Sequence, residues 1–480
     1  MASGSTPTTV EIPEWTDLKD IIDNNPNFKY DHALQDDIND LIVRVRQSNE
    51  FIYFTRIKKD TADYDDYMNN YAGGAARGDD SAISVTATFT DSFNLDAFSR
   101  LRTGNPQSLF DSTQIFSDHP LFWENIITGS GTAVYQSNES STRLTCTTST
   151  GDKVIRQTRE YFNYQPGKSL RLAMTGILGA AKDGVRQRVG YFDNNNGVFF
   201  EQTSSGIYIV IRSDTSGSPV DTRVEQSNWN IDTLDGGGLS GVTIDLSKGN
   251  IYVLDIQWLG MGRVRAGWSV DGNFYYAHQF LHANTIDKVY MRTANLPLRY
   301  EIENTGTPAS STYMDHVCVE IESEGGYNPK GVTRVATTSD TDRTVGASYV
   351  PIIAIRLKSD FNRAQILPLS FKAQNASNTL VHVKLVHGVT LTGASWVSVG
   401  DNSIAEYDLS ATAYSGGEDI DDMFVSSQGS ERNQLETIVP ETLLKIKSNY
   451  AGTSEILVLV GKSFGTTSAM HGTLSFREVY

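Results

Sequence analysis

From about residue 83 onward the chain is written in short segments that alternate apolar and polar residues, each closed by a turn signal. SLRLAMTGIL, GIYIVIR, NIYVLDIQWLG and NFYYAHQFL are such segments, and FDNNNG, TSSG, SKGN and VDGN are the turns between others of the same kind. Period-two alternation puts one set of side chains on one face of a strand and the other set on the opposite face. Many such strands with no helical crossovers predict an all-β chain of antiparallel sheets, closed as β-sandwich or jelly-roll domains. The number of strands suits a large lectin-like jelly roll.

Two interruptions divide the pattern. EGGYNPKG (324–331) sets Gly-Gly, Pro and Gly in a row and predicts a boundary. Before residue 83 the pattern is different. Trp15, Leu18, Ile21 and Ile22 recur at helical spacing, as do Leu34, Ile38, Leu41, Ile42 and Val45, with Asp31 as an N-cap. The apolar stripe of that second helix is expected either to dock on its own domain or to make assembly contacts with a neighbouring subunit. FIYF (51–54) reads as a strand, and the acidic, Tyr- and Gly-rich stretch 60–81 as a linker. Three parts are therefore expected: 1–82 as an N-terminal arm, 83–326 as a lectin-like sandwich and 327–480 as a second sandwich. Residues 410–434 read as a long polar loop.

The formal net charge is −17 over 480 residues, which disfavours nucleic acid and anionic membrane surfaces as partners. No stretch approaches the ~18 apolar residues of a membrane span, and the start has no basic, apolar leader pattern. Cys146 and Cys318 are too few for a disulfide framework or a thiolate zinc site, and read as two reduced thiols in strands.

One block points to a family. DAFSRLRTGNPQSLFDSTQIFSDHPLFWENIITGSGTAVYQSN (96–138) resembles a segment of tailed-bacteriophage virion structural proteins. Asp96 to Pro106 carries a D-A-F-x-R-L-R-x-x-x-P stretch, and Phe110-Asp111-Ser112 and Pro120-Leu121-Phe122-Trp123 follow it. The resemblance continues through REYFNYQPGKS, RVGYFDNNNGVFFEQ, DIQWLGMGRVRAGW, FLHANT and LRYEIENTG, and covers about residues 85–325. It implies a virion component, as a capsid decoration, head appendage or tail fibre, with no catalytic residues carried over. Phe122 and Trp123 are then either core or subunit contact, with the core favoured by its size. Arg100 and Arg102 are expected to pair with carboxylates, local or on a neighbour.

The search for chemistry finds no G-x-S-x-G elbow, H-E-x-x-H or phosphate loop. Glu320, Glu322 and Glu324 share one strand face and are the best carboxylates for glycoside hydrolysis, set against a solvated-face reading. Asp193 with Asn194, Asn195 and Asn196 reads as a hairpin turn rather than a calcium loop. His278 with His282, and His382 with His387, lack metal-ligand spacing. Trp229, Trp258 and Trp268 are candidates for stacking on sugars or for core.

The expectation is a non-enzymatic virion protein, assembled in the host cytoplasm. It would need no cofactor and no metal. Its partners would be other virion proteins and copies of itself, as a homo-oligomer and in one version a trimer. The alternative is a tail-fibre or host-receptor protein that holds a surface glycan; a glycan depolymerase ranks third.

Overall fold

A computed structural model describes residues 10–11, 14–25, 27–34, 40–47, 50–58, 61–70, 95–100, 102, 106–326, 330–435 and 444–480. The chain divides into two compact units, Met1–Thr90 and Asp91–Tyr480. Among the described residues strands far outnumber helices, so the all-β expectation holds. No helix among them is long and apolar enough to cross a membrane. The expected strand SVTATFT lies outside the described residues.

The first unit has a four-stranded sheet in the order Val10–Glu11, Glu50–Lys58, Asp40–Gln47, Lys29–Leu34. The helix Trp15–Asp23 forms as expected and buries Trp15, Leu18 and Ile22. The helix expected over Leu34–Val45 does not form. Lys29–Leu34 and Asp40–Gln47 are antiparallel strands instead. DLIVRVRQ also alternates with period two, and its Ile and two Val are β-branched, which stiffens them toward strands. Val43 and Val45 are buried with Trp15 and Leu18 in this unit's own core, and Ile42 is half-buried. Ile38 lies outside the described residues, and Leu34 and Leu41 are strand backbone. The expected linker also differs, since Ala62–Asn70 is a helix. Thr61 accepts the Tyr64 amide at its start, and Tyr67 meets Trp15 edge-on at 5.1 Å.

The second unit holds two sandwiches. In the first, an eight-stranded sheet runs Asn273–Phe280, Val264–Val270, Asn250–Ile256, Ser169–Leu178, Thr312–Glu324, Ser141–Cys146, Thr132–Gln136, with Gln107–Thr113 also paired to Thr312–Glu324. A seven-stranded sheet faces it in the order Val220–Glu225, Gly206–Ser213, Gly197–Thr203, Val185–Phe192, Leu298–Asn304, Lys153–Thr158, Trp123–Thr128. Alternation explains the packing. Leu170, Leu172 and Met174 enter the shared core with Trp268 and Tyr300, while Arg171 points away from it.

The second sandwich pairs a five-stranded sheet (Val332–Thr337, Ser468–Val479, Gln365–Asn375, Ser430–Gln434, with Arg343–Val345 beside Ser468–Val479) with a six-stranded one. The latter runs Val397–Ser398, Ala405–Asp408, Val350–Leu357, Leu457–Ser463, Val381–His387, Glu418–Val425. The stretch expected as a polar loop therefore supplies the edge strands Glu418–Val425 and Ser430–Gln434. Its acidity is that of an exposed edge, where charge deters further pairing. Lys384 on the neighbouring strand neutralises Asp419 at 2.6 Å.

Candidate functional site

Most residues singled out in the sequence serve structure. Trp229 and Trp268 are buried and stack at 5.4 Å, and half-buried Trp258 donates its indole proton to the Met291 carbonyl at 3.1 Å. None of the three is a surface platform. The Asp193 carboxylate accepts the Asn195 and Asn196 amides at 2.8 Å each, and Gly197 takes a φ of +146°, so this is a hairpin turn. His278 is buried, which pushes its pKa down to about 4, and His282 stacks on Tyr290 at 4.0 Å. Among the described residues no group of three or more His, Cys, Asp or Glu side chains is placed to hold a metal. Cys146 and Cys318 are free thiols, and burial pushes Cys146 up to about 12.

The carboxylates Glu320, Glu322 and Glu324 fall on the outer face of the eight-stranded sheet, where Glu322 is buried and Glu320 and Glu324 are half-buried. Glu322 pairs with Arg171 across the strand register, and buried Asp255 pairs with buried Arg265. Arg102 bridges Asp255 at 2.7 Å and Glu324 at 2.5 Å. The backbone of Leu95 and Ala97 lies over them, held by Arg265 to the Leu95 carbonyl at 2.6 Å and Arg263 to that of Ala97 at 3.2 Å. Desolvation, with Asp255 nearby, outweighs Arg102 and pushes the Glu324 carboxyl up to about 7. Arg100 and Arg102 thus find local carboxylates, Asp96 for the first and Asp255 and Glu324 for the second.

The outer face of the seven-stranded sheet carries a second charge lattice that sequence reading missed. Buried Arg188 donates to Glu201 at 2.7 Å and to Glu301 at 2.9 Å. Desolvation of Glu301 is outweighed by Lys153, Arg188 and Arg299, which draw its carboxyl down to about 2. The second sandwich caps this lattice through Tyr450, whose ring lies 5.5 Å from the Arg299 guanidinium. The Tyr450 hydroxyl accepts from Asn194 at 2.8 Å, and its amide donates to Glu124 at 2.7 Å.

Beside that cap a cleft of about 330 Å³ opens between the sandwiches. One wall is the strand Gln107–Thr113 with Ser108, Phe110 and Asp111; the other holds Glu160, Lys445 and Lys447. Glu160 and Lys445 form an ion pair, and Gln365 donates to Glu160 at 3.3 Å. Phe110 packs at 5.9 Å from Phe122, whose ring is 36% exposed on the rim. Trp123 is core at 1% exposure, as the core reading expects, whereas Phe122 lies at the surface. The arrangement offers one apolar ring face among hydroxyl, amide, carboxylate and ammonium groups. Lys445 and Lys447 could have been found only as the two cations in LLKIKS, a pattern any amphipathic strand shares.

No protein-family model and no curated protein matches the chain. Among solved structures, a lectin from Bauhinia forficata in complex with GalNAc is similar at 14% identity and a TM-score of 0.28, covering 46% of this chain and 98% of that one. An apo Crh5 transglycosylase is similar at 14% identity and a TM-score of 0.29, covering 46% and 88%. A structure reported for endo-acting O-glycanases of the human gut microbiota that initiate mucin breakdown reaches 11% identity and 0.32, covering 45% and 99%. At such scores no substrate and no catalytic residue passes to this chain. The enzymes among these structures do correct the expectation of a non-enzymatic protein, which rested on missing motifs. Nothing in these likenesses points to a virion.

Proposed function

We propose that this protein binds a glycan in the cleft between its two sandwiches. The observation that carries the reading is Phe122, a half-exposed ring backed by Phe110 and surrounded by polar groups from both sandwiches. A sugar ring has an apolar face of C–H groups and a rim of hydroxyls. It matches a site that pairs one aromatic surface with a few fixed polar groups. The cleft is at the small end of ligand sites, about 300–1,000 Å³, and suits one or two sugar units. Taken with the resemblance of residues 85–325 to tailed-phage virion proteins, the reading is of a particle protein that meets a host-surface glycan.

The test is a glycan array probed with the full chain, followed by titration of the best ligand against Phe122→Ala and Lys447→Met. Loss of binding in both variants, with unchanged melting temperature, supports the cleft. Binding that survives both sinks it. Time-resolved product analysis on the same ligand shows whether the bound glycan is also cut.

A second reading, assembly onto a particle by protein contact, is favoured by Ile115, Phe116 and Leu121, which are exposed at 54%, 86% and 64% in the segment between the strands Gln107–Thr113 and Trp123–Thr128. The partner in this reading is a capsid or tail subunit, as the resemblance of residues 85–325 to phage virion proteins implies. Co-sedimentation with purified particles, lost in Phe116→Asp, supports it; no association with particles counts against it.

A further inference from the structure

We propose that the outer face of the six-stranded sheet holds a second site, which takes a carboxylate-bearing sugar such as a uronate or sialate. It is separate from the inter-sandwich cleft and does not rest on the reading given for that cleft.

Strand register builds the site. His382 stands opposite both Phe424 and Lys462 on its two neighbouring strands, so the three form a row across the sheet. The His382 and Phe424 rings stack at 4.5 Å and 16°, and Phe424 continues to Phe464 at 6.1 Å and 27°. Phe424 and Phe464 are 56% and 57% exposed, in a patch that Leu380 extends. Large aromatics in adjacent positions at such exposure are unusual on a free surface, and mark binding sites.

The polar groups around the rings are ordered by one another. The Asp422 carboxylate accepts the Nε2 proton of His382 at 2.6 Å. That leaves Nδ1 as the acceptor for the Tyr349 hydroxyl at 2.7 Å. A carboxylate accepts more than one hydrogen bond, so Asp422, whose side chain is 59% exposed, retains capacity for sugar hydroxyls.

Charge selects the ligand class. Lys384 is neutralised by Asp419. Lys462 has no carboxylate partner among the described residues, and its ammonium sits 5.8 Å from the Tyr349 ring and 5.9 Å from that of Phe464. A cation set between the exposed Phe464 ring and the half-buried Tyr349 ring, beside an ordered hydroxyl acceptor, fits a ring with an apolar face, hydroxyls and one carboxylate. A neutral sugar would leave Lys462 unused, and an acidic peptide would leave the stacked rings without a matching face.

The experiment titrates the full chain with tetragalacturonate, tetramannuronate, a hyaluronan tetramer and 3′-sialyllactose, and with the methyl ester of each acid that binds. The expected result is binding of at least one acid and a loss of tenfold or more on esterification. Lys462→Met should reproduce that loss, and Phe424→Ala should abolish binding. Phe424→Leu, which keeps an apolar edge for the strand, guards against misfolding and should also lose stacking-dependent affinity. Phe122→Ala in the cleft should leave this binding intact. No binding of any of the four acids, equal binding of acid and ester, or loss in Phe122→Ala instead of Phe424→Ala would overturn the proposal.

Discussion

The Nε proton of Arg156 is donated to Nδ1 of His316 across 2.9 Å, inside the first sandwich. A guanidinium can only donate, so the imidazole receives the bond as a neutral ring. His316 also packs against Trp123 at 4.3 Å with the rings tilted by 51°, and stacks on Tyr300 at 4.4 Å.

Burial first, and then the Arg156 charge, hold the His316 pKa well below 6.5. The unfolded chain takes up a proton below pH 6.5 that the folded chain refuses, so stability is lost as pH falls through and below that value. The slope from this one group is at most about 1.4 kcal/mol per pH unit. In His316→Asn the acid limb of a urea-stability profile should be shallower, even though the variant is less stable overall. An unchanged acid limb would show that His316 titrates normally.

Glu324 acts in the opposite sense. Its folded pKa of about 7 lies above the ordinary 4.5, so its contribution is present below pH 4.5 and is lost as pH rises to about 7. The full effect has an upper bound of about 3 kcal/mol. Glu324→Gln should flatten the profile between those values. A wild-type profile already flat there, and unchanged in the variant, would place Glu324 in water.

Arg188→Met removes the cation between Glu201 and Glu301 and leaves two buried carboxylates facing each other. Breaking such a lattice from one side costs about 3–5 kcal/mol. Chemical denaturation should show a loss of that order, and a change under about 1 kcal/mol would mean that Lys153, 3.2 Å from Glu301, and Arg223, 2.5 Å from Glu201, compensate.

The two sandwiches are joined by the Glu160–Lys445 pair and by Tyr450 on Arg299. Calorimetry of the double variant Lys445→Met/Tyr450→Ala should resolve two melting transitions where the parent merges them. A single transition in the variant would locate the coupling elsewhere, for example at Arg363, 3.8 Å over the Tyr161 ring.

Fold class was legible because alternation is a local property. SLRLAMTGIL announces its core face without reference to any other residue, and the structure buries Leu170, Leu172 and Met174. Leu34–Val45 misled because its apolar residues satisfy a helical stripe and a strand alternation together, and only docking against Trp15 and Leu18 decides between them. The carboxylate run of Thr312–Glu324 was legible as one face of a strand. What covers that face, Arg102 and the backbone of Leu95, comes from more than 200 residues earlier, and sequence carries no sign of it. The cleft was half legible. Phe122 stood out as a large aromatic, but Lys445 and Lys447 reach it from the second sandwich, through contacts that no periodicity encodes.

The cap that Tyr450 places on Arg299 has a mechanical meaning. Its ring, hydroxyl and backbone amide each grip a different strand or turn of the first sandwich, at Arg299, Asn194 and Glu124. A force that tries to slide one sandwich over the other must break these attachments together rather than one after another. The joint is therefore stiff against shear. A load applied to the second sandwich is passed to the floor of the first without first bending a hinge.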